Sequence, residues 1–244
     1  MQANGARSGT SAGTSVQRVL TLNGNFDTNG NPFTLASNAT GTALVVNNGS
    51  NVVAGTVTVQ RYIDPSLNAG AGYRHYSAPV SNSTVGDLAT AGFTPTLNPA
   101  YNTSPTPSLV TPFPTVYGYD QNRLATANNN LSFFDKGWFS PAALSDPLVV
   151  GQGYTVNLDA SQLVDFTGTL NNGTVTQTLA SNRSTFPDGG WQLVGNPYPA
   201  PLDYSQIIPA DRINLDGAPC TCSAAPASTA GSTVPSPTAL AATP

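Results

Sequence analysis

Hydrophobic residues recur in short alternating pairs along the first quarter of the chain, and polar turn clusters separate the pairs. Successive pairs begin 13, 11 and 13 residues apart. The pairs are Leu20 and Leu22, Phe33 and Leu35, Leu44 and Val46, and Val57 and Val59. The clusters between them are rich in Asn and Gly, which favour tight turns. A near-regular step of about 12 residues between short strands predicts either a β-sandwich or the stacked coils of a β-solenoid.

The later part of the chain carries similar strand signals. Tyr73 and His75 alternate with their neighbours, as a strand requires. Residues 86–115 are rich in Pro and Thr and predict a long irregular excursion. The sequence Leu170-Asn171-Asn172-Gly173 is typical of a hairpin. Further strands are predicted at 115–119, 131–134, 137–139, 153–158, 162–169, 173–179 and 190–195, with one helical turn at 204–209.

These patterns predict an all-β fold in which flexible arms flank two β parts. Both ends of the chain are rich in small polar residues without apolar periodicity. The pattern is compatible with one core shared by the two β parts. The predicted parts are a flexible N-terminal arm (1–17), a repetitive short-strand β segment (18–60), a β-sandwich with jelly-roll-like features (61–215) and an Ala/Ser/Thr/Pro-rich C-terminal arm or linker (216–244).

The chain is unusually poor in charge, which bears on where it works. Charged residues make up 8% of the sequence, Lys136 is the one lysine, glutamate is absent and the net charge is −4. No basic patch is available for nucleic acid, and no apolar run is long enough for a transmembrane helix. An uncharged surface rich in Thr, Asn and Ser is typical of secreted proteins. We therefore expect an extracellular or cell-surface location, as a mature form or a fragment, since the start lacks the apolar core of a signal peptide.

Three stretches of the sequence resemble a recurring block in large secreted surface proteins of the Bacteroidota. They are Gly55–Ile63, Gly72–Val80 and Gly189–Pro199, the last reading Gly-Gly-Trp-Gln-Leu-Val-Gly-Asn-Pro-Tyr-Pro. The resemblance covers roughly residues 19–208. It implies export through the type IX secretion system and surface attachment, often in adhesins, and it implies no agreed activity. The C-terminal sorting domain typical of those proteins is absent from this sequence.

Few residues are candidates for a catalytic role, and we expect no enzymatic activity. His75 is the sole histidine, no nucleophile elbow is present, and the aspartates are scattered through predicted turns. The more credible ligand is calcium, which takes carboxylate, amide and carbonyl oxygens. Asp27 and Asp120 are the calcium candidates, although both also suit ordinary turn chemistry. No other cofactor is expected.

Aromatic residues near predicted turns offer a platform for sugars. Tyr119 and Trp138 are the candidates, and the alternative is that both belong to the core of the sandwich. The sequence contains two cysteines, Cys220 and Cys222, and leaves three alternatives open: a local disulfide, bridges to another chain, or a pair of thiols. Glycosylation sequons occur at Asn38, Asn48, Asn82, Asn102, Asn130, Asn172 and Asn182.

The function that we expect first is that of a structural or adhesive surface protein that self-associates. A filament subunit is one version of this function. Edge strands that lack lysine and glutamate invite pairing with another chain, and little charge repulsion opposes it. The expected partners are therefore further copies of the chain, which form a homo-oligomer or polymer through edge strands and terminal arms. The alternative is a carbohydrate-binding or adhesion module of a larger secreted protein, with glycans as partners.

Overall fold

The computed structural model describes residues 1–3, 6–7, 12–66, 68–203 and 240–241. The fold is all-β, as predicted, with one short helix at Arg123–Thr126. Within the described residues, no helix has both the length and the apolar character needed to cross a membrane.

Short parallel strands in the first quarter of the chain stack in three rungs. The strands are β1 (Gln2–Ala3), β2 (Ala6–Arg7), β3 (Thr14–Val16), β4 (Val19–Leu22), β5 (Phe26–Asp27), β6 (Phe33–Leu35), β7 (Ser37–Asn38), β8 (Gly41–Thr42), β9 (Leu44–Asn47), β10 (Val53–Ala54) and β11 (Val57–Tyr62). The first rung holds β1, β2 and β3, the second β4, β5 and β6, and the third β9, β10 and β11, while β7 and β8 form a hairpin between the second and third rungs.

Alternating hydrophobic residues explain why these rungs form. Leu20 and Leu22 point inward from β4 and are almost fully buried, while Thr21 between them is half-buried. Phe26 and Phe33 pack at a corner of the second rung with ring centroids 4.8 Å apart. Parallel pairing of β4 with β9 and of β6 with β11 matches the stacked coils of a solenoid, one of the two architectures that the sequence left open. The step of about 12 residues seen in the sequence corresponds to half a rung.

Two larger sheets follow. One has the order β13-β17-β11-β6-β3 and the other the order β12-β16-β14-β15, while β18 pairs with β19. The first sheet is mixed, because β3, β6 and β11 are parallel whereas β17 is antiparallel to β11 and β13; in this respect it departs from an antiparallel jelly roll. The strands are β12 (Gly72–Tyr76), β13 (Val80–Ser81), β14 (Val116–Tyr119), β15 (Trp138–Phe139), β16 (Tyr154–Leu158), β17 (Leu163–Leu170), β18 (Trp191–Gln192) and β19 (Leu240–Ala241).

One hydrophobic core joins the rungs to the two sheets. Strand β11 pairs with β6 of the second rung on one side and with β17 on the other. Val59, Phe166 and Val156 come from different strands of this core and are fully buried. The predicted boundary between residues 60 and 61 falls inside β11, so the two predicted β parts form a continuous structure.

The predicted N-terminal arm is wrong where the structure describes it. Gln2–Ala3 pairs with β4 and Thr14–Val16 pairs with β6, so much of 1–17 belongs to the stack. Ala3 and Val16 are buried there, which supplies the apolar contact that the sequence pattern concealed. In the predicted C-terminal arm only Leu240–Ala241 is described, and the helical turn predicted at 204–209 lies outside the described residues.

Irregular backbone occupies the long connection between β13 and β14, as predicted. Short 3₁₀ turns punctuate it and the segment before β15. They span Val85–Leu88, Pro99–Asn102, Pro107–Leu109 and Phe134–Gly137. The strands predicted at 131–134 and 173–179 are absent from the described structure, where those residues form turns or irregular backbone. Because residues 173–179 form no strand beside β17, the predicted hairpin at 170–173 does not form.

Candidate binding surfaces

The first rung forms an open end of the stack. Among the described strands, β1, β2 and β3 each lie at the edge of their sheet. In β3 the Thr14 N–H donates to Pro32 and the Val16 carbonyl accepts from Ala36, so both flanking residues bond to the second rung. The backbone N–H and C=O of Ser15 therefore point away from the stack, because neighbouring residues of a parallel strand bond to opposite sides.

Strand β1 repeats this arrangement. The carbonyls of Met1 and Ala3 accept hydrogen bonds from Thr21 and Asn23 of the second rung, so the backbone groups of Gln2 point outward. Both Gln2 and Ser15 are exposed. We call the outward backbone groups of these two residues the first-rung edge.

The third rung, by contrast, is covered. The N–H of Val45 donates to the Pro199 carbonyl at 3.1 Å. The Asn47 amide donates to Asn172 Oδ1 at 3.0 Å, and the Asn172 amide donates to the Asn51 carbonyl at 2.6 Å. Strand β17 covers the remaining side of the third rung, because it pairs with β11. A groove of about 300 Å³ remains between the rung and this cover, and its amide groups are engaged by these bonds.

The outer face of the four-stranded sheet carries a second candidate surface. Residues that alternate with the core positions point to this side, because successive side chains of a strand face opposite ways. Tyr73 of β12 lies 6.3 Å from Tyr117 of β14, measured between ring centroids. Phe113, from the irregular connection, lies 6.3 Å from the same Tyr117 ring. Tyr117 is buried, whereas Tyr73 and Phe113 are 55% and 46% exposed.

Polar side chains lie beside these rings on the same face. His75 pairs with Thr155 across β12 and β16, and His75 Nδ1 lies 3.0 Å from the Thr155 hydroxyl. Partial burial lowers the pKa of His75, which favours the neutral imidazole. Asn157 lies opposite Tyr73, and its Oδ1 is buried without a hydrogen-bond partner in the described structure. We call Tyr73, Phe113, Tyr117, His75, Thr155 and Asn157 the aromatic face.

The two aromatic residues singled out from the sequence lie together in a neighbouring cluster. Tyr119 and Trp138 are opposite each other across β14 and β15, with ring centroids 5.1 Å apart in an edge-on arrangement. Tyr119 is only 6% exposed, and its hydroxyl donates to the Phe134 carbonyl. Desolvation raises the pKa of Tyr119. Tyr119 thus packs as a core residue, and Trp138 is half-buried.

Both calcium candidates bond to their own turns. Asp27 Oδ1 accepts the Asn29 N–H at 2.7 Å, and Asn29 adopts a left-handed conformation with φ of 54°. Asp120 Oδ1 accepts the Asn122 N–H at 2.9 Å. Within the described residues, no group of three or more His, Cys, Asp or Glu side chains is placed to share an ion. The geometry of these two carboxylates is that of side chains capping a turn.

The predicted sequons differ in exposure and in the bonds of their amides. Five are exposed: Asn38, Asn48, Asn82, Asn130 and Asn172. Asn48, Asn102, Asn172 and Asn182 each donate a hydrogen bond from the side-chain amide. Asn102 is the most firmly held, because its amide donates to the Ser140 carbonyl and its Oδ1 accepts the Ser140 N–H, both at 2.8 Å. Cys220 and Cys222 lie outside the described residues.

Tyr73 and Phe113 were missed as candidate binding residues by the sequence reasoning. The sequence pattern placed Tyr73 and His75 on the same face of a strand but did not show which face points outward.

A family model described as a domain of unknown function (DUF8693) matches residues 9–223. No curated protein matches the chain, and no solved structure does.

Proposed function

Because the chain belongs to the DUF8693 family, whose description names no activity, we propose a function from its geometry: a structural or adhesive surface protein that self-associates through the first-rung edge. The observation that carries the proposal is the pair of outward-facing backbone segments at Gln2 and Ser15. Such groups pair readily with a strand of another chain, since each unmade backbone hydrogen bond leaves a donor and an acceptor available.

The composition of β1 and β3, two of the three first-rung strands, supports this proposal, whereas the third, β2, contains one arginine. Natural edge strands are protected by charged side chains or proline. The strands β1 and β3 read Gln-Ala and Thr-Ser-Val and contain neither. With only 8% charged residues over the whole sequence, electrostatic repulsion between copies is small. An extracellular location fits the same composition, which suits a surface that stays hydrated through amides and hydroxyls.

The covered third rung limits how copies associate through this edge. Two copies meet first rung to first rung in a closed pair, because the opposite end of the stack is occupied by its own chain. Growth into a filament uses a second contact, and β12 supplies one, since it lies at the edge of the four-stranded sheet.

Sedimentation of the purified chain over a range of concentrations tests the proposal. We expect reversible association that weakens by at least about tenfold for Ser15→Lys, because an edge lysine opposes pairing. Ser108→Lys adds the same charge at an exposed position in a 3₁₀ turn and is the matched control. A chain that stays monomeric at millimolar concentration contradicts self-association. Protease treatment of intact source cells tests the location, and we expect the chain to be cleaved without lysis.

A further inference from the structure

We infer that the aromatic face is a binding site for a neutral saccharide. This inference goes beyond self-association and uses a different surface, the outer face of the four-stranded sheet. Two exposed rings, Tyr73 and Phe113, both contact the buried ring of Tyr117, so an apolar platform stands on a rigid base. Large exposed aromatic groups on one face mark interaction sites in soluble proteins.

The polar groups on this face indicate the kind of ligand. His75 uses Nδ1 toward Thr155, so Nε2 is directed away from that bond. Asn157 presents an acceptor, Oδ1, that is buried and has no partner in the described structure. A buried acceptor without a donor is unfavourable, and turning the half-buried Asn157 side chain toward the surface would let a ligand hydroxyl satisfy it. A suitable ligand therefore has apolar C–H surfaces that pack on the rings and hydroxyl groups that donate to the acceptors.

Charge narrows the ligand class further. The residues of the aromatic face carry no formal charge when His75 is neutral. The Arg74 side chain between Tyr73 and His75 alternates to the other face and donates to the carbonyls of Asn68 and Gly70. An anionic sugar therefore finds no cation among the described residues of this face, and a neutral pyranose, whose C–H groups stack on aromatic rings, is the best match.

Calorimetric titration with neutral hexasaccharides of β-1,4-glucose, α-1,4-glucose and β-1,4-xylose tests the inference, with a hexuronate as the charged comparison. We expect at least one neutral oligomer to bind more tightly than the hexuronate. Tyr73→Ala and Phe113→Ala should each weaken that binding by at least about tenfold. Phe133→Ala is the matched control, because Phe133 is 45% exposed but packs on Phe186 in another cluster.

Asn157→Leu separates a ligand-binding role from a structural one. Replacing an amide whose buried oxygen has no partner by an apolar side chain of similar size should leave the thermal midpoint unchanged or higher. Saccharide binding should nevertheless weaken, because the acceptor is lost. The inference is overturned if none of the neutral oligomers binds at millimolar concentration, if the hexuronate binds best, or if Phe133→Ala weakens binding as much as Tyr73→Ala. Ser15→Lys should bind as the wild type does, so a failure here is distinct from a failure of self-association.

Discussion

The amides of Asn47 and Asn172 meet at 3.0 Å across 125 residues of sequence, and this bond ties the third rung to the segment that covers it. Asn172 is part of a small network, since its own amide donates to the Asn51 carbonyl. The covered end of the stack thus depends on asparagine side chains that join distant parts of the chain.

Asn172→Ala should lower the free energy of unfolding by about 2 kcal/mol, because two hydrogen bonds are lost at once. Urea denaturation followed by tryptophan fluorescence measures the change. Asn130→Ala is the control, since Asn130 is exposed like Asn172 but makes no side-chain hydrogen bond in the described structure, and it should have an effect below about 0.5 kcal/mol. Equal effects of the two substitutions would show that the network does not stabilise the cover.

The shared core predicts one cooperative unfolding transition. Phe26→Ala, in the second rung, should destabilise the chain by about 3–5 kcal/mol, and Val156→Ala, in the four-stranded sheet, by about 2 kcal/mol. Calorimetry should show each substitution shifting the same single transition. Val46→Ala, at a 42% exposed position, should leave it nearly unchanged. Two separable transitions would contradict a continuous core.

His75 should make the folded state less stable in mild acid. Its pKa is lowered from 6.5 in the folded protein, so the unfolded chain binds the proton more tightly. Stability from the neutral imidazole is present above pH 6.5 and is lost as the pH falls through the folded pKa. NMR titration of the one histidine should give a midpoint below 6.5, and His75→Gln should flatten the stability profile in this range. A midpoint above 6.5 would contradict the assignment.

Asp120→Ala should destabilise the chain by about 1 kcal/mol, because the turn loses the bond to the Asn122 N–H. If the carboxylate acts only in this turn, Asp120→Ala should lower the thermal stability by the same amount in the presence of calcium and in the presence of a chelator. Asp159→Ala, at an exposed aspartate, serves as the control. A loss that occurs with calcium alone would instead establish Asp120 as an ion ligand.

Strong local signals were sufficient for the strands of the core. The predictions at 115–119, 153–158 and 162–169 are confirmed by β14, β16 and β17. Burial largely alternates along β17, whereas β14 is buried throughout and β16 at four of its five residues. The prediction failed at 173–179, where the residues alternate but no strand among the described residues receives their hydrogen bonds. A strand depends on its partner, and the sequence of one segment does not show whether that partner is available.

The candidate surfaces were harder to predict for a related reason. The sequence identified Tyr119 and Trp138 as aromatic and near turns, and the structure brings them together but buries Tyr119. Exposure depends on what the irregular connection covers, and that connection has no periodic pattern. In the same way, Ser15 is an edge position because of the strand order, a long-range property that no local signal reports.

The β7–β8 hairpin is an insertion that the stack accommodates without losing register. It leaves after the second rung and returns before the third, and the hydroxyls of Ser37 and Thr42 at its base lie 2.6 Å apart. Its tip residues Ala39 and Thr40 are exposed. A foreign peptide placed between Ala39 and Thr40 would replace the bonds of Thr40 to Asn38 at the tip. Because the base is closed by its own bond, the stacked rungs would stay in place, which makes this chain suited to presenting short epitopes.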